Sequence, residues 1–119
     1  QLNCSIWGLD KSNQAIDIAR QRVIESLIAN RVEFKQGDFE SNNFHQEYFD
    51  VIISVDALPF AKNPFVALSE LSRILKPKGR LVFTFRELSS SSSSAKRYGE
   101  YWQHLLKENG FGDYYTLFH

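Results

Sequence analysis

Apolar and polar positions fall into short, well-separated blocks with two different periods along this chain. Ser5-Ile6-Trp7-Gly8-Leu9 is an apolar run halted by Asp10-Lys11-Ser12, the pattern of a buried strand followed by a turn. From Asn13 to Ala29 the spacing becomes helical. Ile16, Ala19, Val23 and Leu27 recur three and four apart, while Asp17, Arg20, Gln21 and Glu25 lie mostly off that face. Ser12 or Asn13 supplies a side-chain cap for the first amides. Val32-Glu33-Phe34-Lys35 alternates strictly, which predicts a strand with one covered face or an outer strand, ended by Gly37-Asp38.

Residues 40–47 are polar and irregular, and Val51-Ile52-Ile53-Ser54-Val55 is then apolar on both faces, as in a parallel strand covered from each side. Asn63-Pro64 has the chemistry of a cap and first helical residue. Phe65, Leu68, Leu71 and Leu75 carry an apolar stripe to Lys76-Pro77-Lys78-Gly79, where a helix must stop. Leu81 to Phe85 reads as the next strand. The serine run Ser89–Ser94 reads as a flexible loop, Ala95 to Asn109 as a third helix ended by Gly110, and Tyr114 to Phe118 as a last strand. The order strand, helix, strand, strand, helix, strand, helix, strand is that of an α/β protein with a largely parallel sheet.

Composition narrows the picture. At 119 residues the chain has the size of a single domain, taken as 1–119, and 43% hydrophobic residues suffice for a core. Fourteen basic residues balance fourteen acidic ones, so no basic excess favours nucleic acid or an anionic membrane as a partner. The lone Cys4 excludes an internal disulfide and any zinc site built from several cysteines, and no metal site is expected. No apolar run approaches the roughly 20 residues of a membrane span, and the first residues do not form a signal peptide. A reducing, cytoplasmic compartment is the expectation. There is no methionine, and an apolar run begins almost at residue 1, which suggests a chain that has lost its natural beginning.

In an open parallel sheet, ligands bind beyond the carboxyl ends of the strands. The residues there are Asp10, Asp38, and Val55-Asp56. One carboxylate suits the paired hydroxyls of a ribose and another the exocyclic amine of a base, with Phe39 beside Asp38 available to a flat ring. Taken singly, each aspartate is as readily a turn former or helix cap, and Phe39 a core residue. Their joint occurrence at successive strand ends describes a nucleoside pocket.

Gly8-Leu9-Asp10-Lys11-Ser12, Val32-Glu33-Phe34-Lys35-Gln36-Gly37-Asp38-Phe39, Phe49-Asp50-Val51-Ile52-Ile53-Ser54 and Leu75-Lys76-Pro77-Lys78-Gly79-Arg80-Leu81 together resemble the class I S-adenosylmethionine-dependent methyltransferases. The nearest subgroup is similar to the small-molecule enzymes of ubiquinone and menaquinone biosynthesis. The resemblance covers about residues 5–88, with a looser echo in Glu108-Asn109-Gly110-Phe111. It implies a Rossmann-like, mostly parallel sheet with helices on both faces, S-adenosyl-L-methionine as cofactor and a small-molecule methyl acceptor. By the same resemblance Asp10 holds the ribose hydroxyls, Lys11 lines that edge, Asp38 meets the adenine amine with Phe39 against the ring, and Val55 ends a strand beside the methionine part. Leu75–Gly79 corresponds to a structural turn.

Methyl transfer from a sulfonium needs alignment more than a base, so His45, Tyr101 and His104 are only conceivable proton acceptors and no catalytic residue is assigned. Trp7, Trp102, Tyr114 and Tyr115 read as core aromatics. The family's first strand and glycine-rich loop have no counterpart here and should precede Gln1. In the family's sheet that strand lies between those ending at Asp10 and Val55. The expectation is therefore a fragment truncated at its N-terminus; a strand donated by another chain, or direct pairing of the two flanking strands, are the alternatives. Exposed strand edges would favour a homodimer. A non-catalytic methyltransferase-like binding or assembly module is the competing function. A nicotinamide dinucleotide domain would also use an acid at a strand end, but gives no reason for Asp38-Phe39 together with Lys76-Pro77-Lys78-Gly79.

Overall fold

Two parallel strand pairs organise the chain in a computed structural model that describes residues 4–55, 57–84 and 92–112, with backbone alone for 92–98. Its contacts divide it into two units, residues 1–42 and 43–119. Each unit builds its own two-stranded sheet, β-strand pairing being parallel in both.

In the first unit, β1 (Ile6–Asp10) pairs in parallel with β2 (Val32–Gln36), in register from Ile6 opposite Val32 to Asp10 opposite Gln36. The crossover contains α1 (Asn13–Val23), whose Ile16 is buried. Ser12 caps this helix by accepting the Ala15 amide at 3.1 Å. The helix is shorter than its apolar spacing predicts, ending at Val23 rather than Ala29. Ser26 donates its amide to the Val23 carbonyl at 2.8 Å, and its hydroxyl accepts the Ile28 amide at 3.2 Å. These local bonds offer the backbone a turn in place of another helical turn. Leu27, expected on the buried face, is 98% exposed in consequence.

In the second unit, β3 (Phe49–Ser54) pairs in parallel with β4 (Leu75–Phe83), and α2 (Pro64–Ile74) connects them. Asn63 caps α2 by accepting the Phe65 and Val66 amides, and Pro64 fills the first position, where no amide is needed. Leu68, Leu71 and Ile74 are buried together with Leu58, Leu75 and, from α3 (Ser92–Glu108), Trp102, Leu105 and Leu106. The Phe83 and Trp102 rings lie 5.2 Å apart in this core. Phe65, placed by the sequence on the apolar stripe, is 44% exposed. β3 was expected to be covered on both faces, yet Val51 and Ile53 are exposed along with Val82 of β4. Alternate residues of a strand face opposite sides, so these three side chains share one largely exposed face of the pair.

The strand after α2 begins earlier than expected, at Leu75 instead of Leu81. Leu75 has already left the helical conformation and pairs with Phe49, after which the register slips so that Val51 pairs with Arg80. Residues 76–79 stand against Asp50 alone, an excess of three, and the ladder accommodates them by placing Lys78 at φ 68°. A side chain in that left-handed region costs about 1–2 kcal/mol. Lys78→Gly should therefore raise stability by about 0.5–1 kcal/mol after the added freedom of the unfolded chain is subtracted. Thermal melting would register this as a rise of a few degrees, whereas a lower melting temperature would contradict the reading.

The third helix also starts earlier than expected. Ser92–Ser94 are its first residues rather than part of a flexible loop, and residues 89–91 lie outside the described ones. It ends on Gly110 at φ 85°, with the Phe111 amide donating to Leu106 and the Gly110 amide to Lys107. The strand expected at Tyr114–Phe118 lies outside the described residues.

Candidate functional site

The first unit gathers most of the predicted site, at the carboxyl ends of β1 and β2. Their ladder closes with Asp10 opposite Gln36, and the Gly37 amide donates to the Asp10 carbonyl at 2.9 Å. Both chains then turn away at the same end of the sheet. Each aspartate uses one carboxylate oxygen to hold its own turn. Asp10 Oδ1 accepts the Ser12 amide at 2.9 Å, and Asp38 Oδ1 accepts the Glu40 amide at 2.8 Å. The second turn is closed further by the Ser41 amide, which donates to the Asp38 carbonyl at 3.0 Å.

The remaining oxygens differ. Asp10 Oδ2 has no partner among the described residues, whereas Asp38 Oδ2 lies 3.5 Å from the Lys11 ammonium. Lys11 is about half exposed and Asp38 about one-third, so this ion pair contributes at most about 1 kcal/mol. Its consequence is geometric, because it links the turn after β1 to the turn after β2. Asp10, Lys11 and Asp38 are thereby brought together. Phe39 follows half-buried, its carbonyl accepting a bond from the Asn42 side chain at 3.1 Å. Val55 belongs to the second unit, just past the end of β3, and is exposed; Asp56 lies outside the described residues.

Sequence reasoning passed over Gln36. Its side-chain amide donates to the Lys11 carbonyl at 2.9 Å, across the end of the ladder. The available signal was a long amide side chain as the last residue of an alternating strand, immediately before Gly37-Asp38. The conceivable proton acceptors do not converge. His104 pairs with Glu108 on the exposed side of α3 at 3.0 Å, Tyr101 meets Trp102 edge-on, and His45 is exposed near Tyr48. A hollow lined by Ala15, Ile18, Arg22 and Phe34, among others, contains none of the predicted site residues.

Two like-charged acceptors, each oriented by a backbone amide, suit a ligand that offers hydroxyl and amine donors. Comparison with known proteins bears on the family and the fold. Residues 1–83 match the family described as a methyltransferase domain. The ubiquinone/menaquinone biosynthesis C-methyltransferase UbiE of Vibrio vulnificus (strain YJ016) is 30% identical over 101 residues, covering 85% of this chain and 39% of that protein. This chain therefore spans less than half the length of that relative. A solved structure from Bacillus halodurans, described as a candidate methyltransferase, has a TM-score of 0.77 at 23% identity over 90% of this chain and 53% of its own. A candidate S-adenosyl-L-methionine-dependent methyltransferase from Methanococcus maripaludis gives 0.75 at 23% identity, over 93% and 60%. These likenesses identify the fold as the Rossmann-like α/β type that the element order predicts, and with the family match over residues 1–83 the chain belongs to the class I S-adenosylmethionine-dependent methyltransferases.

Proposed function

We propose that the end of the β1–β2 ladder is the nucleoside half of an S-adenosylmethionine site, in a chain that serves methyl transfer to a small-molecule acceptor in the cytoplasm. The observation that carries the proposal is the pair of aspartates at adjoining strand ends, each with one oxygen fixed by its own turn. Asp10 would accept from the ribose hydroxyls through Oδ2. Asp38 would accept from the adenine amine, and since a carboxylate oxygen has two acceptor sites, Lys11 need not leave. Phe39 would offer its ring to the base.

The donor set fits the cofactor: anionic acceptors for the diol and the amine, with hydrogen-bonded turns that spare the ligand much of the ordering cost. When bound, the cofactor supplies an electrophilic methyl group on sulfur. The protein's share is to hold that group in line with the acceptor. No side chain of this chain is assigned to proton transfer.

Titration calorimetry with S-adenosylhomocysteine tests the reading. Binding with a Kd on the order of 0.1 to 1 mM is expected for contacts confined to half a ligand, with adenosine competing for the same site. Absence of heat from both ligands, or binding that adenosine leaves untouched, would refute the assignment.

A further inference from the structure

We infer that Gln36 is a positioning residue, which aims the ribose-binding carboxylate of Asp10 through a single peptide unit. The inference rests on the nucleoside reading above and adds to it a residue that touches no ligand. Asp10 opposite Gln36 is the last pair of the ladder, and the Gly37 amide on the Asp10 carbonyl is its last backbone bond. The next acceptor along the chain, just past β1, is the carbonyl of Lys11. At Gly37-Asp38 the neighbouring chain turns away, and the Gln36 side chain supplies the donor instead, at 2.9 Å.

That carbonyl and the amide of Ser12 belong to one peptide group. A trans peptide is planar, with its C=O and N–H pointing in opposite directions. Fixing the Lys11 carbonyl toward Gln36 therefore fixes the Ser12 N–H on the other side, where it donates to Asp10 Oδ1 at 2.9 Å. The chain of restraint runs from Gln36 through the Lys11–Ser12 peptide to the carboxylate, and it leaves Oδ2 in one place. Without the Gln36 donor, this exposed peptide is free to rotate toward water and the carboxylate loses the fixed Ser12 amide that anchors it.

The test compares adenosine with 2′,3′-dideoxyadenosine, which lacks the hydroxyls Asp10 would hold, on the wild-type chain and on Gln36→Met and Gln36→Glu. Both substitutions remove the donor at an exposed position and keep the side-chain length, and melting curves establish that the variants fold. Each should weaken adenosine about 5- to 10-fold and leave the dideoxynucleoside unchanged. In an Asp10→Asn background, Gln36→Met should add no further loss. Equal weakening of both nucleosides, or of neither, would overturn the positioning role while leaving the nucleoside site standing. A wild-type chain that does not favour adenosine over its dideoxy analogue would overturn the ribose assignment itself, and the role of Gln36 with it.

Discussion

Asp10→Ala should weaken S-adenosylhomocysteine binding about 100-fold, the largest effect of any single substitution at the site. A hydrogen bond to an ionised group contributes about 1.5–3 kcal/mol, and the ribose diol presents two donors to one carboxylate. Exposure of Asp10 to water puts each bond at the low end, so the pair amounts to about 3 kcal/mol, or about two decades in Kd. Alanine also removes the acceptor for the Ser12 amide, which costs about 1 kcal/mol of local order. Asp10→Asn separates the two contributions: the amide oxygen can still accept from Ser12, while the charge is gone. Asparagine should melt with the wild type and bind about 10-fold more weakly. Calorimetry paired with thermal melting reads both quantities. An alanine variant binding within threefold of the wild type would remove Asp10 from the site.

The features of this site that were legible in the sequence are those set by local chemistry. An aspartate two residues before a helix cap, and another directly after a glycine at a strand end, orient themselves through neighbouring amides; Asp10 and Asp38 both do so. Parallel pairing of β1 with β2 follows from two short apolar segments separated by a helix that needs an apolar face to rest on. Gln36 was invisible because its partner carbonyl is 25 positions away, and only the completed register brings the two together. The early end of α1 depended on Ser26 winning a local competition that periodicity does not register. Exposure of Val51 and Ile53 was equally hidden, since an apolar strand reads the same whether one or both of its faces are covered. The resemblance to the methyltransferases named Val55 alongside the aspartates. It sits just past the end of β3, in the second unit.

The largest expected effect on stability comes from the residue that closes the excess turn in β4. A Cβ built on Gly79 would stand 2.8 Å from Cγ and Cδ1 of Leu75 and 2.8 Å from the Lys76 carbonyl oxygen. Leu75 is buried, and its backbone is pinned by the ladder to Phe49, so its side chain has little room to retreat. The carbonyl belongs to the same tight loop that absorbs the slip from Leu75 to Arg80 and cannot rotate aside without undoing it. Overpacking of this kind costs about 1–3 kcal/mol, and with a backbone atom among the clashes Gly79→Ala should fall near the upper end. For a chain of this size that lowers the melting temperature by roughly 10 °C. Gly112→Ala is the matched control, because an added Cβ there meets nothing within 4 Å. If Gly79→Ala melts within two degrees or so of the wild type, the loop is more yielding than its contacts imply. A drop confined to Gly79 would show that the close approach of this turn to Leu75 is what requires a glycine there.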